Sequence, residues 1–307
     1  MTLRAIYEVP APAKLNLFLH VVGRRDDGYH LLESLFVLID WCDTLHFETR
    51  ADGALHRHDL GAALPPDDLC VRAARALQRA SGTVLGADIL IDKQLPWGAG
   101  LGGGSSDAAS TLLALNRLWD LRWPRSRLLA LGLALGADVP FFLGGRNAFV
   151  EGIGERLTPV TLAQQWLAVL KPAASIETRA IFGSPLLGRS ESRNSDTDIL
   201  ESLSPNEECA SATTLLGSAT ALLAPGFGRN DLQPAAQAEC AEVAQAAAVL
   251  HAAFGNSRMT GSGSAVFARA GTADRAQTPM LTRLPAGWVG RLSRSLVEHP
   301  LVGWCAD

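Results

Sequence analysis

Apolar and polar positions divide the chain into strand-like runs followed by helix-like ones. Residues 13–22 (AKLNLFLHVV) and 31–39 are strand-like and joined by a polar turn over 23–30, and 44–49 forms a further strand-like run. Residues 67–80 begin on two acids and carry Leu69, Ala73, Ala76 and Leu77 at helical spacing, which predicts a helix. A short strand is expected over 87–92, then a glycine-rich loop, then a helix over 105–119. In that helix Ala108, Leu112, Leu115 and Trp119 recur every three or four residues, and Ser105 or Ser106 is expected to cap the first turn. Another helix over 126–135 is expected to stop at Gly136, with strands over 147–151 and 166–171 beyond it.

Residues 188–211 are rich in Ser, Asn, Asp and Glu with little apolar periodicity, which predicts a surface insertion. Past it lie an alanine-rich helix over 233–254 and strands over 264–269 and 288–292. At 307 residues the chain exceeds the usual single-domain size, and a boundary within 160–165 divides it into 1–163 and 164–307.

Composition narrows the functional classes. Apolar residues make up 48% of the chain, which argues against disorder. No apolar run approaches the roughly 20 residues needed to span a bilayer, and the first residues lack a signal-peptide core, so a soluble cytoplasmic protein is expected. The net charge of −4 gives no basic footprint for nucleic acid. Five scattered cysteines without a CxxC pattern read as thiols of a reducing compartment. His56 and His58 form an H-x-H with no third ligand nearby in sequence, so no metal site is expected there. Only three of the 27 basic residues are lysines, Lys14, Lys93 and Lys171, which suggests positions that need a compact ammonium.

The densest chemical signal is Leu95-Pro96-Trp97-Gly98-Ala99-Gly100-Leu101-Gly102-Gly103-Gly104-Ser105-Ser106-Asp107, in which five of the seven residues 98–104 are glycine. Glycines let backbone N–H groups converge without Cβ interference, and the following helix N-terminus favours an anion. Ser105 and Ser106 add hydroxyls within reach of a phosphate or its Mg²⁺. Gly98, Gly100 and Gly103 also satisfy G-x-G-x-x-G, but a dinucleotide fold needs a second strand ending in an acid about 20 residues on. The chain there is helical and then reads Leu121-Arg122-Trp123-Pro124. A Walker A loop is excluded because no lysine follows the glycines.

Four segments in order carry a resemblance: PAKLNLFLHVVGRRDDGYHLLESLF from Pro12, LPWGAGLGGGSSDAA from Leu95, GADVPFFL from Gly136 and TGSGSAVFA from Thr260. Together they resemble the GHMP kinase superfamily, and within it the branch whose acceptor is cytidine-diphospho-methylerythritol, on the methylerythritol phosphate route to isoprenoid precursors. The resemblance implies an α+β, two-domain fold: an N-terminal domain like ribosomal protein S5 domain 2, a ferredoxin-like C-terminal domain, and an active site in the cleft between them. It implies ATP and Mg²⁺, and phosphorylation of the acceptor's 2-hydroxyl. A small-molecule substrate is expected, with no nucleic acid or membrane partner, and the chain acts as a monomer or homodimer.

The resemblance assigns catalysis to Lys14 and Asp138. The residues alone read Asp138 as a turn or capping acid, held on a non-helical corner because Pro140 biases Val139 to an extended shape. ATP falls to the loop from Pro96 to Ser106, where Trp97 is placed to pack on adenine. Lys93 is either a phosphate contact or a solvated lysine. The cytidine end falls to Asn16, Tyr29, His30 and Phe182, the two aromatic rings sandwiching the base and His30 reading its edge. Thr178, four residues before Phe182 on a short helix, faces the same pocket, and Gly261 and Ser262 form a second turn closing on the phosphates. The chain departs from the family at Asp68, where an Asn near adenine is common, and at Trp97 and Ala99. Lys171 opens a substrate-pocket segment, with a surface position equally open. A homoserine- or mevalonate-type kinase and a non-catalytic sugar-nucleotide-binding homologue remain as alternatives.

Overall fold

A computed structural model of the chain describes residues 3–187, 228–272, 275–276 and 284–307. The insertion expected over 188–211 lies outside the described residues. Two sheets, each with helices on one face, organise the rest. The first contains β1 (Ala5–Arg24), β2 (His30–Arg50), β3 (Leu55–Asp59), β4 (Gly86–Asp92), β5 (Ala148–Gly152) and β6 (Arg156–Pro159). Its order is β3-β4-β2-β5-β6, with β1 also paired to β2.

β2 is the spine of this sheet. The two runs expected over 31–39 and 44–49 are one strand that changes partner on one side: 32–36 pair with β5 and 44–50 with β4, while β1 follows the other side. β1 is longer than its apolar run suggests and takes in Pro10 and Pro12. A proline cannot donate to a ladder, and the register shift between Pro12 and Ala13 accommodates it.

α1 (Leu69–Ser81) and α2 (Gly103–Leu118) cover the inner face of this sheet. Asp68 caps α1 by accepting from Val71 N at 3.1 Å, and Gly82 ends it in the left-handed conformation. The serine cap expected for α2 does not form: Gly102 is its N-cap, with no side-chain hydrogen bond. The helix thus begins inside the glycine loop, two residues earlier than the periodicity indicates. α3 (Arg125–Leu133) leads to the short α4 (Val139–Gly144). The extended shape expected of Val139 is not found either. Asp138, at φ −83° and ψ −14°, is the N-cap of α4, and Pro140 sits in its first turn, where its missing N–H has no helical partner to lose.

The second sheet has the order β10-β9-β7-β11, with β8 on β9. Its strands are β7 (Gln165–Lys171), β8 (Arg258–Met259), β9 (Val266–Thr272), β10 (Arg275–Ala276) and β11 (Val289–Arg294). β9 starts two residues later than expected because the Ser264 and Ala265 amides donate to Gly98 O and Ala99 O instead, at 3.1 and 3.2 Å. α5 (Thr178–Phe182) precedes the undescribed segment. The helix expected over 233–254 is two, α6 (Gln233–Glu239) and α7 (Ala241–Phe254), because Cys240 is extended at φ −139°, ψ 105°. Alanine-rich composition carries no signal for that break. No helix among the described residues is long and apolar enough to cross a membrane.

A core cluster lies between the two sheets, with Leu15, Phe18 and Ile39 from the first against Leu167, Val169 and Phe267 from the second. The chain end returns across it, so that Leu301 packs in the core under α2. Asn147 ties this return down. Its Oδ1 accepts from Leu38 N at 2.9 Å, its Nδ2 donates to Leu296 O at 2.8 Å, and Leu296 N donates to Leu38 O at 2.8 Å. Asn147 is 1% exposed, so truncation leaves two groups without water to replace it. Asn147→Ala is expected to destabilise the protein by roughly 2–4 kcal/mol, about two orphaned polar groups. Urea unfolding reads this directly, and an unchanged midpoint would show that the tail docks without it.

Candidate active site

The open edge of β1 gathers the site. Successive strand residues point to opposite faces, so Lys14 and Asn16 project to the same side. The backbone N–H of Lys14 donates to Leu101 O in the glycine loop at 2.9 Å, and that of Asn16 to Thr260 Oγ1 at 2.9 Å. Further along, Leu19 N donates to Arg229 O and Val21 N to Asp231 Oδ2, each at 2.9 Å, while the Arg258 guanidinium donates to Leu17 O. Segments distant in sequence therefore complete the strand's unpaired edge.

Lys14 is 4% exposed, and burial lowers its ammonium pKa while the Asp138 carboxylate opposes that fall. Lys14 Nζ lies 3.7 Å from Asp138 Oδ2, 2.5 Å from Asn16 Oδ1 and 4.6 Å from the centre of the Phe36 ring. The orientation of Asn16 follows from a relay. Ser34 Oγ donates to Phe18 O at 2.5 Å, so its oxygen accepts from Asn16 Nδ2 at 2.9 Å, which turns Oδ1 towards the lysine. Asn16, expected at the cytidine end, thus also holds the lysine in place. Asp138 is the more accessible partner at 31% exposed.

The two glycine turns interlock. Gly100 has φ +73°, and a Cβ there would lie 2.3 Å from Thr260 O; at Gly102, φ +72°, it would meet Phe142 at 3.0 Å and Lys14 Cγ at 3.1 Å. Neither position tolerates a side chain without displacing the other turn or the lysine. Gly261 completes the junction, its Cβ position 3.1 Å from Gly100 O and 3.5 Å from Lys14 Nζ. Asn230 Nδ2, missed in the sequence, donates to both Met259 O and Gly261 O at 2.8 Å and braces this turn. Ser262 Oγ sits 2.7 Å from Thr178 Oγ1 and so links the turn to α5.

A cavity of about 400 Å³ runs along the glycine loop, walled by Leu64, Asp68, Leu69, Lys93 and residues 95–105. One wall is built of the glycines at the start of α2, where helix N–H groups favour an anion. Pro96, Trp97, Gly98, Ala99, Gly100, Leu101, Gly102, Gly103, Gly104 and Ser105 all line it, and Trp97 stands half-exposed at the rim. Ser106 does not: it is fully buried behind the helix start, and its Oγ has no hydrogen-bond partner among the described residues. Asp68, where an amide was wanted, spends its carboxylate on the α1 cap and on Arg57 at 2.8 Å.

Lys93 is not a solvated lysine. At 13% exposed it is held by Asp43 and by Asp107 Oδ2, the latter at 2.5 Å. Burial lowers its ammonium pKa, but the two carboxylates outweigh that and raise it. Asp43 Oδ1 also accepts from Gln94 N and Leu95 N at 2.6 and 2.7 Å, so this cluster fixes the first residues of the loop. Neither aspartate is marked by periodicity. Lys171 is also buried, donating to Pro172 O at 2.6 Å and Ala174 O at 2.8 Å, so the surface position left open for it is not the one it takes. Ser264 Oγ donates to Ala174 O at 2.6 Å as well, and Lys171 thus braces the segment that abuts Gly98.

Where an acceptor pocket is expected, the β1–β2 hairpin meets α5. The His30 ring stacks on Phe182 with centroids 4.9 Å apart and planes 24° from parallel. Tyr29 is 61% exposed beside them. The aromatic partner of Phe182 in this structure is His30.

Known proteins share the sequence and the fold of this chain. The family model of the GHMP kinases N terminal domain matches residues 68–146. The chain is 63% identical over 306 residues to 4-diphosphocytidyl-2-C-methyl-D-erythritol kinase of Methylibium petroleiphilum, covering 99% of both chains. It is 53% identical to the protein of the same name from Verminephrobacter eiseniae, again over 99% of each. Among solved structures, a 4-(cytidine 5'-diphospho)-2C-methyl-D-erythritol kinase aligns at TM-score 0.68 and 35% identity, over 87% of this chain and 91% of that one. A homoserine kinase from Cytophaga hutchinsonii aligns at TM-score 0.66 but 16% identity, over 96% and 95% of the two chains, which shows the shared fold alone.

The charge cluster under the loop gives a pH signature. Burial pushes the Asp107 carboxyl up to about 8, against the pull of Lys93 and with the push of Asp43. An unfolded aspartate releases its proton near 3.8. Between those values the folded protein holds a proton that the unfolded chain has lost, so this group's contribution falls as pH rises. Wild type is expected to lose stability relative to Asp107→Asn as pH rises through that range. Urea unfolding of both proteins from pH 5 to 8 measures the difference, and parallel stability profiles would contradict the assignment.

Proposed function

The chain belongs to the 4-diphosphocytidyl-2-C-methyl-D-erythritol kinase family of the GHMP kinases, and from that premise we propose that it phosphorylates the 2-hydroxyl of 4-diphosphocytidyl-2-C-methyl-D-erythritol. ATP supplies the phosphoryl group, and Mg²⁺ held mainly by the nucleotide neutralises its charge. The cavity fits that cofactor: a backbone-lined end at a helix start for phosphates, and an apolar wall of Leu64 and Leu69 for the adenine. Ser105, at the cavity wall, is the hydroxyl we assign to the metal side. The cleft in question lies between residues 1–163 and 164–307. The same reading takes the enzyme to be cytoplasmic and to act as a monomer or homodimer.

The single observation that carries the reading is the Lys14–Asp138 pair, set where both glycine turns meet the β1 edge. In our assignment Asp138 accepts a hydrogen bond from the acceptor hydroxyl, orients it in line, and takes its proton late. Lys14 offsets the negative charge that gathers on the transferring group, and burial strengthens that interaction. Phe182 offers a stacking face for the cytosine, His30 an edge partner and Tyr29 an outer cover. Thr178 and Ser262 hold the wall of this pocket, with Lys93 fixing the loop from behind.

Incubation with ATP, Mg²⁺ and the cytidine-diphospho acceptor is expected to release ADP, with homoserine and mevalonate inert. Asp138→Asn should lower kcat by about 10²–10⁴ with little change in acceptor KM, and Lys14→Met by about 10²–10³. ADP from homoserine or mevalonate alone would overturn the acceptor, no ADP from any of the three would leave a binding protein, and near-normal turnover of Asp138→Asn would remove its role.

A further inference from the structure

The H-x-H pair on β3 acquires in the fold what it lacks in the sequence. β3 and β4 run parallel, with His56 opposite Asp88 and His58 opposite Leu90. On β4, Ile89 and Ile91 point into the core under α1 and α2, so Asp88 and Leu90 face the other way. His56, His58 and Asp88 therefore share the face of the first sheet turned away from its helices. One ligand atom from each lies within 4.8 Å of the others. His58 Nε2 is 3.0 Å from Asp88 Oδ1, and His56 Nδ1 is 3.8 Å from the same oxygen.

We propose that His56, His58 and Asp88 bind a divalent transition metal ion of the Zn²⁺ class at this outer face. Metal–ligand bonds of about 2.0–2.2 Å in a tetrahedron separate neighbouring ligand atoms by roughly 3.3 Å. The two separations from Asp88 Oδ1 bracket that value, and the imidazole nitrogens lie within 4.8 Å of each other, so binding draws the two rings together about the carboxylate. Two imidazoles and one carboxylate suit Zn²⁺, Ni²⁺ or Cu²⁺ and disfavour the all-oxygen coordination of Mg²⁺. Both histidines are 52% exposed, which gives the ion an entry path and leaves the fourth position to water. The other carboxylate oxygen, Asp88 Oδ2, accepts from Arg50 at 2.8 Å, an outer contact that fixes the carboxylate. The same guanidinium opposes a cation, although its pairing with Asp52 at 2.5 Å offsets part of that charge.

The test is calorimetric titration of the untagged full chain with Zn²⁺, in a buffer that does not chelate. One equivalent should bind saturably. Loss of a first ligand should cost no less than loss of an outer one, so His58→Ala and Asp88→Asn should each weaken binding at least about tenfold. Kinase turnover of the His56→Ala/His58→Ala protein should match wild type, which also shows that it is folded. Absence of saturable binding to wild type would overturn the site. Undiminished binding to the double histidine variant would do the same, by assigning the ion to other groups such as the thiols.

Discussion

An edge strand must find partners for its unpaired backbone, and in this protein the partners of β1 are the walls of the candidate active site. One side of the strand is satisfied by β2 along most of its length. On the other side the amides of Lys14, Asn16, Leu19 and Val21 are taken by the glycine loop, by Thr260, by Arg229 and by Asp231. A buried amide left without an acceptor costs about 1–3 kcal/mol, so each junction is strongly favoured. The backbone requirement brings together residues some 240 positions apart in sequence. The functional groups ride on the same strand, so completing the sheet and assembling the site are one event.

This explains which parts were legible in the sequence. The glycine loop was, because a convergence of backbone N–H groups leaves a compositional trace. Most strands and α1 were legible through periodicity and capping, and Asp68 marks the start of α1 as an acid before an apolar helix should. The continuity of β2 was not, because it depends on partners across the fold, and the break at Cys240 leaves no mark in an alanine-rich run. Lys14 and Asp138 were reached only through the resemblance. Their sequence surroundings, a strand residue and an acid before Val-Pro, are equally those of ordinary structural positions.

The supporting residues were the hardest to see. Asp43, Asp107 and Asn230 act by pairing with groups far along the chain, and no spacing rule marks them. Asp107 lies in the second turn of α2 and is 3% exposed. A lone acid there looks like a local conflict until Lys93 is placed against it. The same holds for His56 and His58, whose third neighbour, Asp88, comes from the adjacent parallel strand.

The scarcity of lysine proved the more general clue. The three that occur among 27 basic residues are 4%, 13% and 4% exposed. Each ammonium is compensated differently: Lys14 by an amide, a ring and a carboxylate, Lys93 by two carboxylates, and Lys171 by two backbone carbonyls. What the three sites share is size. A planar guanidinium spreads five donors over a fork, and buried donors left unmatched are costly. A single compact nitrogen fits between Asn16 and Asp138, or between the Pro172 and Ala174 carbonyls, with three donors to match instead of five. All three lysines therefore serve buried positions that a compact ammonium suits, and in this fold those positions lie against the segments that form or abut the two glycine turns.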